Sequence, residues 1–135
     1  MKLSVIIPVY NEESTIAEVI RRVSNVNIEG VDKEIIVADD GSTDRTSSII
    51  ANTQRNESII KVHTSLINLG KGAAVRFGLE YATGDVIIIQ DADLELNPEE
   101  YVKLLEPILN RTADVVYGSR FMNKNENIPI ITRLA

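Results

Sequence analysis

From Leu3 to Tyr10 the chain is almost continuously apolar, as a strand buried on both faces would be. After Asn11 the apolar residues thin out to Ile16, Val19, Ile20 and Val23, the i, i+3, i+4, i+7 stripe of an amphipathic helix. The unit then recurs. Glu34 to Ala38 predicts a buried strand, Asp39-Asp40-Gly41-Ser42 a turn, and Thr43 to about Thr53 a helix with Ile49 and Ile50 inward. A short strand over Ile59 to His63, a glycine-containing loop from Asn68 to Gly72 and a helix to about Ala82 follow, and then the strongly apolar strand Val86 to Ile89. Asn97 suits an N-cap with Pro98 at the first helical position, and Val102, Leu105 and Leu109 mark the inner stripe of the next helix, which Pro107 should kink or split. Asp114 to Tyr117 predicts a last strand, closing at Gly118-Ser119-Arg120 before a polar loop.

Strands alternating with helices imply an α/β fold with parallel pairing and right-handed crossovers, which gathers the carboxyl ends of the strands along one edge. In open α/β sheets ligands bind at that edge. A length of 135 residues with 44% hydrophobic residues suits one domain, 1–135, and neither a repeat nor a linker divides it. Plentiful Val and Ile with only 4% aromatic residues agree with strands covered on both faces. A net charge of −6, with no basic cluster, argues against nucleic acid as a partner but leaves room for a metal-bridged polyanion. Cysteine is absent, which excludes disulfides and thiolate metal sites. No stretch approaches membrane-spanning length, and Leu3 to Val9, interrupted by Pro8, does not read as a signal peptide.

Chemistry enters with the carboxylates. Glu12, Asp39, Asp40, Asp91 and Asp93 all fall just past the carboxyl ends of predicted strands, so the sheet would collect them in one crevice. In Asp91-Ala92-Asp93 the acids stand at i and i+2, which in extended backbone point to the same side, and Glu95 continues the phase. Two hard oxygen ligands suit Mg²⁺ or Mn²⁺, with a substrate diphosphate and water completing the shell, although the pair could also merely terminate a strand. Asp39 to Ser42 reads either as a tight turn into a helix or as a carboxylate offered to a nucleobase or ribose. Asn68-Leu69-Gly70-Lys71-Gly72 lacks the spacing of a P-loop; it brings backbone close to a helix N-terminus, where Lys71 could screen a diphosphate, or it is a simple helix-entry loop. Arg120 could fork onto a phosphate or stand on the surface. His63, the single histidine, is assigned no role.

Val5-Ile6-Ile7-Pro8-Val9-Tyr10-Asn11-Glu12, Asp39-Asp40-Gly41-Ser42, Asn68-x-Gly70-Lys71-Gly72, Asp91-Ala92-Asp93-Leu94-Glu95 and Gly118-Ser119-Arg120 together resemble the family-two inverting glycosyltransferases, in order and spacing, from Leu3 to about Phe121. Within that family the Asp-Ala-Asp-Leu-Glu and Gly-Ser-Arg-Phe elements are most similar to dolichol-phosphate mannose synthases and bacterial polyprenyl-phosphate glycosyltransferases. The resemblance implies a GT-A fold, a Rossmann-like and mostly parallel sheet flanked by helices. Pro8, Tyr10, Glu12 and Asp39 would surround the nucleoside, with Asp40 supporting Asp39, Lys71 and Ala92 also at the donor. Asp91 and Asp93 would hold the metal and diphosphate, Glu95 would add to the metal site, and Arg120 would meet the acceptor phosphate.

The implied reaction transfers a hexose from a nucleotide-sugar donor, GDP-mannose or a UDP-hexose, to a polyprenyl phosphate, inverting the anomeric carbon. A phosphate oxygen is already nucleophilic, so no strong general base is required. Members of the family usually continue through an amphipathic segment and often membrane helices. The expectation is therefore that 1–135 is an N-terminal part of a longer chain, working at the cytoplasmic face of a membrane whose surface it meets through segments not present here. A transferase with a sugar-hydroxyl acceptor and a non-catalytic nucleotide-sugar binding module are the alternatives. A Rossmann dehydrogenase is excluded, because Pro8 to Glu12 stands where its G-x-G-x-x-G would be.

Overall fold

Two runs of β-branched residues form the centre of the sheet. In β1 (Lys2–Val9) every residue from Leu3 onward is buried, and in β2 (Asp32–Asp39) every residue from Glu34 onward. They pair in parallel with Lys2 opposite Asp32 and Val9 opposite Asp39. β3 (Ile60–Thr64) adds to β2 and β4 (Val86–Ile89) to β1, both parallel, giving the order β3-β2-β1-β4. The computed structural model describes residues 1–118, which divide into two units after Glu99.

The order fixes where a ligand can go. From β1 the chain steps outward to β2 and β3, then crosses back to place β4 on the other side of β1, so the direction of winding reverses between β1 and β4. With right-handed crossovers, α1 (Ile16–Asn25) and α2 (Thr46–Asn56) then cover one face, where they touch each other, and α3 (Lys71–Tyr81) covers the opposite face against β1 and β2. A crevice opens at such a switch point, beyond the carboxyl ends of the strands. α3 lies so close to β1 that a Cβ on Gly78 would stand 2.4 Å from Ile6 Cγ2, which only glycine avoids.

At the amino-terminal ends of the strands, away from that crevice, Ser4 and its partner in register, Glu34, anchor a buried polar cluster. Glu34 accepts from Ser4 Oγ at 2.6 Å and the Thr83 backbone N–H at 2.7 Å, and ion-pairs with Lys2 and Lys61 at 2.8 and 2.9 Å. Burial alone would raise its pKa, but these donors outweigh it and hold the carboxyl well below the ordinary range.

The predicted elements recur with shifted ends and three corrections. α2 begins at Thr46 rather than Thr43, because Asp44 Oδ1 accepts the Thr46 N–H at 2.9 Å and so starts the helix later. Asn97 caps as expected, accepting the Glu99 N–H at 3.1 Å, ahead of a 3₁₀ turn Pro98–Glu100 and α4 (Tyr101–Leu109). The inner stripe of α4 is Tyr101 and Leu105; Val102 and Leu109 are exposed, and the helix runs unbroken through Pro107 two residues before its end. The last strand, Asp114 to Tyr117, does not form: Val115 and Tyr117 are exposed and the run has no ladder partner among the described residues. No helix among the described residues is long and apolar enough to cross a membrane.

Candidate active site

Three loops meet at the switch point. Asn11, just past β1, adopts the left-handed conformation (φ 51°), and its Oδ1 accepts the Thr43 N–H at 2.8 Å while its own N–H donates to Ser42 Oγ at 2.9 Å. The Glu12 N–H donates to Thr46 Oγ1 at 2.9 Å, and Glu13 accepts the Arg45 N–H at 2.9 Å. That hydrogen bond, with the Arg45 guanidinium, lowers the pKa of Glu13. The loops after β1 and β2 are thereby knitted together, and the loop after β4 is tied to them by Thr15 Oγ1, 2.6 Å from Ala92 O and 3.1 Å from a Glu12 oxygen.

The result is a cleft of roughly 310 Å³ whose walls include Pro8, Tyr10 and Glu12 from β1 and its loop, Asp40 from the second, Asn68, Gly70 and Lys71 before α3, and Asp91, Ala92 and Asp93 after β4. Eight of the residues singled out from the sequence therefore share one cavity. Lys71 Nζ stands 2.5 Å from Asp91 Oδ1. Tyr10 is 43% exposed and presents an aromatic surface at the rim.

Two of the expected residues lie elsewhere, and a third cannot be placed. Asp39 is fully buried, and its carboxylate accepts the Ser42 N–H at 3.0 Å and the Ser47 hydroxyl, so it organises the entry to α2 and does not line the cleft. Glu95 is exposed and outside the cleft: its N–H turns back to Asp93 Oδ1 at 3.2 Å, which ends the extended phase that would have aligned it with Asp91 and Asp93. Arg120 lies outside the described residues. Among those described, no three Asp, Glu, His or Cys side chains stand together as a ligand set, so within the described residues the cleft offers a cation a pair such as Asp91 and Asp93. A pair of hard carboxylates on an open cleft fits Mg²⁺ or Mn²⁺, which take only one or two protein carboxylates and complete their shell with phosphate and water.

Asp40 has a role that the sequence did not reveal. Its two oxygens accept the backbone N–H groups of Leu69 and Gly70 at 2.8 and 2.7 Å, fastening the loop that launches α3. Gly41 (φ 74°) belongs to the same fastening, since a Cβ there would stand 2.6 Å from the Ile67 carbonyl carbon. His63 stacks on Phe77 with ring centroids 4.4 Å apart and does not line the cleft.

Residues 4–134 match the model of glycosyl transferase family 2. The chain belongs to that family. Among its curated relatives, the dolichol-phosphate mannosyltransferase of Pyrococcus furiosus is 40% identical over an alignment of 136 positions that covers 99% of this chain and 38% of the relative. The undecaprenyl-phosphate 4-deoxy-4-formamido-L-arabinose transferase of Pseudomonas aeruginosa is 41% identical over 106 residues, 77% of this chain and 31% of the relative. The chain thus spans less than half the length of either. Solved structures agree on the fold, which is GT-A. Staphylococcus aureus TarS in complex with UDP-GlcNAc superposes with a TM-score of 0.68 at 31% identity over 82% of this chain and 32% of that one. Glucosyl-3-phosphoglycerate synthase of Mycobacterium tuberculosis, with Mn²⁺, UDP and glucosyl-3-phosphoglycerate, does so with 0.65 at 30% identity over 80% of this chain and 39% of that one.

Proposed function

We propose that this family 2 chain is the donor-binding part of an inverting, metal-dependent glycosyltransferase that moves a hexose from GDP-mannose or a UDP-hexose to a polyprenyl phosphate at the cytoplasmic surface of a membrane. The observation that carries the reading is the convergence of Tyr10, Glu12, Lys71, Asp91 and Asp93 in one cleft at the switch point of the sheet. The two relatives, one transferring to dolichol phosphate and one to undecaprenyl phosphate, support the acceptor class. The charge of the cleft supports the metal. Its described lining carries Glu12, Asp40, Asp91 and Asp93 against Lys71 alone, so a diphosphate entering without a cation would meet net repulsion.

Each residue has a part in the transfer. Pro8 and Tyr10 flank the nucleoside, Tyr10 supplying a face for the base. Glu12 accepts from donor hydroxyls, Asp91 and Asp93 hold the cation, and Asp39 and Asp40 keep the walls in place from behind. A bound Mg²⁺ or Mn²⁺ would neutralise charge developing on the departing diphosphate. An acceptor phosphate oxygen forms the new bond to the anomeric carbon as the bond to the diphosphate breaks, and the nucleoside diphosphate leaves with the electron pair. Arg120 would orient the acceptor phosphate. Positioning and electrostatics provide the catalysis, consistent with a cleft lined by no histidine.

A second reading, transfer to a small soluble acceptor, is favoured by the likeness to glucosyl-3-phosphoglycerate synthase. One titration tests the shared core of both. GDP-mannose, UDP-glucose and UDP-N-acetylglucosamine are added calorimetrically with and without Mn²⁺ to the wild-type chain and to an Asp91→Asn/Asp93→Asn variant. Metal-dependent binding of one donor, weakened at least a hundredfold in the variant, is expected; a folded chain that binds none of them refutes the proposal. Sugar transfer to a short polyprenyl phosphate rather than to phosphoglycerate separates the two acceptors.

A further inference from the structure

Lys71 is the first residue of α3, and its backbone is placed by Gly70 (φ 97°), whose N–H the Asp40 carboxylate holds. From there its ammonium reaches across the cleft to Asp91 Oδ1, 2.5 Å away, with the two side chains 62% and 35% exposed. It is the one cation among the described residues lining the cleft. An ion pair this open to water is weak, worth a factor of about two to five, and therefore exchangeable. A divalent cation on Asp91 would sit against the ammonium and be repelled by it, whereas a diphosphate offers the ammonium several charge-assisted acceptors.

We infer that Lys71 is an exchangeable counter-ion for Asp91. It neutralises the carboxylate in the free protein and passes to the donor diphosphate as the cation takes Asp91, so that metal and nucleotide each tighten the binding of the other. The inference rests on the donor-site reading and adds to it a residue that orders the assembly of the site. It explains why the one cation among the described residues of the cleft wall is spent on the very carboxylate a metal needs, and why it sits at a helix start whose preceding loop Asp40 fastens. Coupling of this kind is reciprocal: the factor by which nucleotide raises metal affinity equals the factor by which metal raises nucleotide affinity.

The test measures Mn²⁺ binding, by calorimetry and by the paramagnetic resonance of free Mn²⁺, to the 135-residue chain with and without UDP or GDP. Wild type is compared with Lys71→Met, Lys71→Arg and Asp91→Asn. Lys71→Met keeps the length and removes the charge; it is expected to bind Mn²⁺ alone about two- to fivefold more tightly. Nucleoside diphosphate, in contrast, binds it roughly tenfold more weakly, so the coupling factor falls, while Lys71→Arg retains it. If Lys71→Met leaves Mn²⁺ affinity unchanged or lower while Asp91→Asn abolishes binding, the exchange is wrong and the donor site stands. If the folded wild type binds no Mn²⁺ with or without nucleotide, both readings fall.

Discussion

Glu34 has almost no access to water, yet it stays ionised because Lys2, Lys61, Ser4 and Thr83 surround it with donors. Removing its charge would leave two ammonium groups facing one another, a loss of about 1–3 kcal/mol once the partial exposure of both lysines is discounted. The pH dependence has a definite sign. The folded-state pKa lies below the ordinary 4.5, so the carboxylate stabilises the fold fully above that pH and the contribution fades as pH falls below it. Glu34→Gln should accordingly be less stable than wild type in urea at pH 7, and the gap should begin to narrow near pH 4.5 and go on narrowing as the pH is lowered further; a gap that does not change with pH contradicts the ion-pair account. Single residues were unevenly legible in the sequence. Glu12, Asp91 and Asp93 could be placed because each follows an apolar run whose strand is unmistakable. The partners of Asp40 could not, since the backbone N–H groups of Leu69 and Gly70 are 29 and 30 residues away and carry no side-chain signature.

Elements were legible where apolar spacing decides them and not where side chains from elsewhere do. Val86 to Ile89 forms with the predicted bounds, and Ile16, Val19, Ile20 and Val23 are the buried residues of α1. The start of α2 moved because Asp44, Glu13 and Asn11 take up the N–H groups of residues 43 to 46, and two of those three come from the preceding β-α unit. The run Asp114 to Tyr117 has strand composition, but composition cannot supply a ladder partner. Packing between elements was invisible too, and Gly78 is the sharpest instance. α3 can lie on β1 only if no methyl stands between its backbone and Ile6, so Gly78→Ala, despite its better helix propensity, should lower stability by about 1–3 kcal/mol through overpacking. Thermal unfolding followed by circular dichroism measures this; an unchanged or raised Tm would show that α3 is free to shift away from the sheet.

Over the whole molecule the net charge of −6 and the acidic lining of the cleft act together, because both set the field that a ligand crosses before it touches any residue. A divalent cation is drawn in by that field and a nucleoside diphosphate without metal is opposed by it. Screening therefore moves their affinities in opposite directions, with the Debye length falling from about 30 Å at 0.01 M salt to about 10 Å at 0.1 M. Mn²⁺ alone should bind more weakly as salt rises over that range, whereas UDP or GDP in the presence of EDTA should bind slightly more tightly. The metal–nucleotide complex carries less charge than the free nucleotide, so its salt dependence should be the shallowest of the three. These slopes can be read by calorimetry in sodium chloride at fixed pH. If metal-free nucleotide instead loses affinity with salt, the ligand feels a positive surface. The cation requirement of this family 2 cleft could then not come from repulsion by Glu12, Asp40, Asp91 and Asp93, and the balance of charge would have to lie with groups beyond the described lining.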